Sequence, residues 1–306
     1  MARHVQCAFV DSLLRIVGAM LIRFGLAALL AMAAAGSAQA KRLYVDGPYG
    51  QIHVRTEGPQ DGPKLVLLHK MFWSSVQFER AQGLLAKRGI FSIAIDLPGY
   101  GFSDAPSAEP GAADYAAILV PVLDALKVKR AVVLGVDTGS SIALAFADAH
   151  PDRVSRLIFD GSPIFDTATA RKLIEAPHFD RTPLPGGAHL QRRWDAVRAI
   201  VGADQASDAN VQTSVLQFFT AAPNWWWAHD AIFKYDFASV LARVKPTGML
   251  LSFPGGALHP QEDIFMKIRP DYRLHPISVG AFTTPSYDAP EAWASAVADD
   301  VLENEK

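Results

Sequence analysis

Apolar positions along the chain gather into short unbroken runs, separated by longer stretches of helical character. Residues 64–68, 91–95, 131–134 and 157–159 are such runs. Runs of this length without polar alternation suit strands covered on both faces, as in a parallel sheet. Residues 43–56 read as an opening hairpin, and helices are expected over 112–127 and 142–149, the second stopped at His150-Pro151. Alternating strands and helices predict an α/β protein with a mostly parallel, doubly wound sheet. Residues 162–240 break the rhythm. They hold prolines, glycines and aromatics, including Trp194 and the run Trp225-Trp226-Trp227, and read as an inserted helical lid. The alternation resumes with strands over 249–253 and 272–279 and closes on a helix over 291–302. The expected organisation is a signal peptide over 1–40, a first core segment over 41–161, the lid over 162–240 and a second core segment over 241–306.

Composition narrows the function classes. A chain of 306 residues, 50% of them hydrophobic, has apolar material for one large domain with an inserted lid. A net charge of -2 without long charge runs gives no nucleic-acid groove and no polybasic membrane patch. Near the N-terminus, Arg15 and Arg23 flank a positive region, residues 24–35 are apolar, and Ala38 and Ala40 fit cleavage after residue 40. The apolar run falls short of the ~20 residues a membrane span needs. The expected location is the periplasm or outside the cell, with no stable membrane association after cleavage; an uncleaved anchor is the alternative. Met20 has a more ordinary signal-peptide start behind it than Met1. Cys7 is the single cysteine and lies in the removable segment, which excludes a cysteine nucleophile and a thiolate metal site in the mature chain. No metal-ligand spacing, phosphate loop or dinucleotide fingerprint stands out, so no cofactor is expected.

The chemistry centres on Gly135-Val136-Asp137-Thr138-Gly139. This is a G-x-nucleophile-x-G turn between a strand and a helix, which holds its central residue exposed at the sheet edge. Ser140 and Ser141 fall past the turn, inside the helix. With Leu67-Leu68-His69, Asp96-Leu97-Pro98-Gly99-Tyr100-Gly101-Phe102-Ser103-Asp104 and His150-Pro151-Asp152-Arg153-Val154, the chain from about residue 44 onward resembles the α/β-hydrolase superfamily. With aspartate at the nucleophile position it is similar to the branch of haloalkane dehalogenases and epoxide hydrolases. The resemblance implies that Asp137 attacks carbon to form an ester, that a histidine activates water to hydrolyse it, and that an acid orients the histidine.

The partners depart from that pattern. Counting back from Ala289-Pro290-Glu291, Thr283 stands where the resemblance places the histidine, and threonine is no general base near neutral pH. The loop 254–259 lacks the usual acid but carries His259, the best substitute base, with Glu262 and Asp263 near enough in sequence to orient it. Asp160 is a candidate acid; its other reading is a structural cap on the strand at 157–159. Backbone N–H groups near Met71 and of Thr138 are expected to form the oxyanion hole. Lys70 has two readings: pairing with Asp137 and lowering its pKa, or pointing to solvent. His69 and His150 read as structural, and His53 lies in the opening hairpin. The lid aromatics, Trp225 and Trp226 above all, favour a small apolar or aromatic ligand. Tyr235 is the only tyrosine between 162 and 240, which counts against an ordinary epoxide hydrolase. The sequence therefore predicts an exported hydrolase with an aspartate nucleophile, acting on a small apolar halide, epoxide or ester. The alternative is a homologue that binds a ligand without hydrolysis, or acts as a lyase or isomerase.

Overall fold

The described residues place eight strands in one sheet: β1 Lys41–Gly47, β2 Gly50–Glu57, β3 Lys64–Leu68, β4 Phe91–Ile95, β5 Ala131–Val136, β6 Val154–Asp160, β7 Gly248–Ser252 and β8 Arg273–Pro276. The structure is a computed structural model and describes residues 40–201, 207–254, 256–277 and 284–304. The spatial order is β1-β2-β4-β3-β5-β6-β7-β8. β2 runs antiparallel to β1 and β4, and β4 to β8 with β3 are parallel to one another. This is the mostly parallel, doubly wound sheet of an α/β-hydrolase fold.

Side chains on a strand alternate between faces, so each buried strand feeds two cores. Val66, Leu68, Ile93, Ile95 and Val133 pack on one face with α2 (Ala112–Ala117), α3 (Leu119–Ala125) and α4 (Thr138–Ala149). Leu65, Leu67, Ala94, Val132 and Leu134 pack on the other face with α1 (Glu79–Lys87) and the closing helix. The continuous apolar character of β3 to β5 follows from this double coverage. The expected helix over 112–127 is two short helices that meet at Ile118. α1 has no counterpart in the apolar pattern, because only Ala81, Gln82 and Leu85 of its nine residues are buried.

Between β6 and β7 the chain is helical: α5 Thr167–Glu175, α6 Ala188–Val201, α7 Asp208–Thr220, α8 Trp227–Phe233 and α9 Phe237–Arg243. After β7 come α10 Glu262–Ile268, then β8, α11 Pro285–Asp288 and α12 Pro290–Glu303. No helix of the described residues is long and apolar enough to cross a membrane. Residues 1–39, nearly all of the signal peptide expected over 1–40 and Cys7 among them, and Thr283 lie outside the described residues.

Candidate active site

The sharp turn from β5 into α4 depends on two glycines that carry no Cβ. A Cβ on Gly135 would collide with the Gly139 carbonyl, and one on Gly139 would collide with the Leu68 carbonyl. Between them Asp137 is held at φ 49°, ψ -107°, a conformation that L side chains rarely adopt. Its backbone N–H donates to the Asp160 carbonyl at 3.0 Å, which ties the turn to the end of β6. Ser140 donates its hydroxyl to the carbonyls of Gly135 and Gly161 at 2.9 and 2.6 Å, and is completely buried. It braces the turn and is closed to substrate.

Asp137 opens on a cavity of about 190 Å³, below the ~300–1,000 Å³ of drug-sized ligand sites. Lys70, Asp160 and Arg193 are its other charged lining residues, and Met71, Phe72, Val136, Val197, Phe253 and Leu258 give it apolar walls. Lys70 is half-buried, its backbone N–H held by Gln77 Oε1 at 2.9 Å. Its ammonium donates to the Thr284 hydroxyl at 2.6 Å and lies 5.3 Å from the Trp73 ring centre. Burial pushes this ammonium down to about 8, against the pull of Asp137, Asp160 and Asp288. Of the two readings of Lys70, the inward one holds. Its effect on Asp137 is smaller than expected: burial raises the Asp137 carboxyl above its usual range, and Lys70 only moderates the rise.

Asp160 is the second carboxylate. Trp293, fully buried on α12, donates its indole N–H to Asp160 Oδ2 at 2.8 Å. Burial pushes the carboxyl up to about 6, although the Trp293 hydrogen bond and the Lys70 charge act the other way. Asp160 is thus a cavity residue as well as the last residue of β6.

Met71 lines the cavity and Thr138 opens α4, as an oxyanion hole requires, but the Met71 N–H already donates to the Thr138 hydroxyl at 3.3 Å. Trp225 and Trp226 are placed elsewhere. Trp225 packs on Phe72 and Phe218, and Trp226 stacks on His178 at 4.5 Å; both face a separate cleft with His178 and Arg181. The aromatic run was expected at the pocket, yet the pocket's aromatics come from Phe72, Trp73 and Phe253.

His259 starts a short 3-10 turn and pairs with Glu262 at 3.1 Å, the orienting contact its spacing suggested. Its side chain is 42% exposed, and it is not among the cavity's lining residues. No histidine lines the cavity among the described residues, and residues 278–283 contain none in sequence. His69 is fully buried, its Nδ1 2.8 Å from the Lys70 carbonyl and its Nε2 accepting the Leu97 N–H at 3.0 Å. Burial keeps its imidazole neutral, and both nitrogens serve the backbone. His53 holds Asp96 at 2.8 Å in the same structural manner. Among the described residues no group of three or more His, Cys, Asp or Glu is placed to hold a metal ion.

Arg193, Thr284 and Trp293 join the site without any local signal. Arg193 is one of two adjacent arginines that nothing local tells apart, and the other two reach the site only through the packing of α11 and α12.

Known proteins give the same fold. A haloalkane dehalogenase of Mycobacterium marinum is 34% identical over 118 residues, 37% of this chain and 39% of that protein. An uncharacterized carboxylesterase of Bacillus subtilis is 31% identical over 116 residues, 37% of this chain and 38% of that protein. The chain thus matches well under half the length of these curated relatives. An esterase from Exiguobacterium antarcticum superposes with a TM-score of 0.70 at 22% identity, covering 86% of this chain and 100% of that one. Residues 63–229, more than half of the chain, match the family model described as alpha/beta hydrolase fold. Sheet order, the tight Gly135–Gly139 turn and the family match agree, and the chain belongs to the α/β-hydrolase family.

Proposed function

We propose that this protein is an exported hydrolase that uses Asp137 as a nucleophile on a small substrate with an apolar body, a halide, epoxide or ester. The observation that carries this reading is the strained Asp137 facing a small cavity beside Lys70 and Asp160. A strained turn that also buries a carboxylate costs stability and contributes nothing to packing. The α4 N-terminus adds partial positive charge at the same point.

Lys70 takes the role that a histidine plays in relatives. On a halide or epoxide, the Asp137 carboxylate attacks the carbon and the carbon–halogen or ring carbon–oxygen bond breaks with its electron pair, releasing halide or an alkoxide that takes a proton from solvent and leaving an ester on Asp137. Ester formation removes the Asp137 charge that favours the Lys70 ammonium. Lys70 then loses its proton to solvent more readily, and the free amine takes a proton from water as that water attacks the ester carbonyl. The alcohol departs and the Asp137 carboxylate is restored. The dehalogenase and carboxylesterase among the relatives support this class of chemistry.

A second reading, ligand binding without hydrolysis, is favoured by the absence of a histidine from the cavity lining among the described residues. Incubation with haloalkanes, epoxides and activated esters, followed by product analysis and intact mass, separates the two. Turnover that Asp137→Asn abolishes supports the hydrolase. Neither product nor adduct across the panel supports binding alone.

A further inference from the structure

Arg193 lies on α6 and is 6% exposed, yet it lines the cavity. Its guanidinium lies 4.0 Å from the Phe218 ring centre, 4.7 Å from Phe72 and 5.5 Å from Phe179. No carboxylate and no carbonyl receives it among the described residues, and its Nε has no hydrogen-bond partner. After burial, the influence that bears on it is Arg181, another cation, and the two together bring it down to about 10. Arg181 differs in kind: it donates to the carbonyls of Phe218, Ala221 and Ala222 at 2.6 to 2.8 Å. The carboxylates of Asp137 and Asp160 bear on Lys70 and not on Arg193. Ser214, the neighbouring polar residue on α7, donates its hydroxyl to Asn210.

Buried charges are normally paired, because an unpaired one carries its full desolvation cost. Aromatic faces return only part of that cost. Arginine presents donors in a planar fork that matches a carboxylate. We propose that Arg193 anchors a carboxylate carried by the ligand, so that the cavity takes a small monocarboxylic acid with an apolar body. The bound acid supplies the missing counter-charge, and the apolar walls cover its chain. The inference rests on the reading of this cavity as the substrate site and adds the substrate's charge to it.

The test is equilibrium binding, which does not depend on turnover. Calorimetric titration of the purified protein with butyrate, 1-butanol and butylamine compares one chain length at three charges. Butyrate is expected to bind at least about tenfold more tightly than the other two, the scale of a charge-assisted hydrogen bond. Arg193→Met should remove that preference and leave the weak butanol binding in place. Arg193→Lys should keep part of it. Equal binding of butyrate and butanol, no binding of butyrate, or a preference that survives Arg193→Met would each overturn the proposal. If Arg193→Met does not fold, the wild-type ligand series and Arg193→Lys decide alone. Butyrate preference without turnover of any halide, epoxide or ester would retain the carboxylate site and reject the hydrolase.

Discussion

The Lys70 ammonium donates to the Thr284 hydroxyl at 2.6 Å, joining residues 214 positions apart in the chain. The contact fixes a cation beside Asp137, at the place where the loop after β3 meets the start of α11. Under the proposed mechanism, a lysine held there serves as counter-charge for Asp137 and as proton acceptor once that charge is gone.

Lys70→Met is therefore expected to stall the second half of the reaction. Steady-state turnover should fall by about 10²–10⁴-fold, the usual contribution of a general base. The ester on Asp137 should accumulate and be visible by intact mass. Unchanged turnover would assign water activation to another group.

Stability should depend on pH in two opposite limbs. The Asp160 carboxyl titrates near about 6 in the folded chain against an ordinary 3.8, so between these values the folded state holds a proton that the unfolded state has released. Stability then falls as pH rises through that window. The Lys70 ammonium titrates near about 8 against 10.5, so above about 8 the unfolded state holds the extra proton and stability rises with pH. Denaturant unfolding at stepped pH should show the lower limb in the wild type and a shallower one in Asp160→Asn, since the raised Asp137 carboxyl feeds the same limb. A limb as steep as that of the wild type would assign it to groups other than Asp160.

Asp137→Gly should give a more stable and inactive protein. The strain at φ 49°, ψ -107° is worth ~1–3 kcal/mol, and glycine's added chain entropy takes back ~0.5–1 kcal/mol. A net gain of about 1 kcal/mol in unfolding free energy is expected. Asp137→Asn keeps the side chain and should recover none of the strain, so the pair separates geometry from charge. Equal stability of Asp137→Gly and the wild type would remove the strain argument.

His259→Ala should leave any turnover unchanged. The residue lies outside the cavity lining, and its half-exposed ring pairs with the buried Glu262 away from the cavity. A marked fall in kcat with unaltered folding would bring His259 into the chemistry.

The fold was legible because its signals are local. The apolar runs of β3 to β5 and the glycines around Asp137 state their own geometry: double-sided burial in one case, a sharp turn in the other. The candidate site was legible only where it lies on that turn or at a strand end, at Asp137, Lys70, Met71 and Asp160. Trp225 and Trp226 misled because a tryptophan run announces burial without saying against what. Trp225 packs on Phe72 and Trp226 on Trp225 and His178, and neither lines the cavity at Asp137. Arg193 carries no signal of its own, because nothing in Gln191-Arg192-Arg193-Trp194 tells which arginine the helix turns inward. Trp293 reaches Asp160 across 133 residues, a distance no local pattern spans.

The role of Asp137 is tested most directly by a single turnover in heavy-oxygen water with enzyme in excess of a halide or epoxide substrate. Attack by Asp137 places one of its own oxygens in the alcohol, and water then replaces it during ester hydrolysis. Peptide mass spectrometry should find one heavy oxygen on the peptide carrying Asp137 and light oxygen in the alcohol. Heavy oxygen in the alcohol with an unlabelled Asp137 would show that water attacks the substrate directly, and would contradict the account.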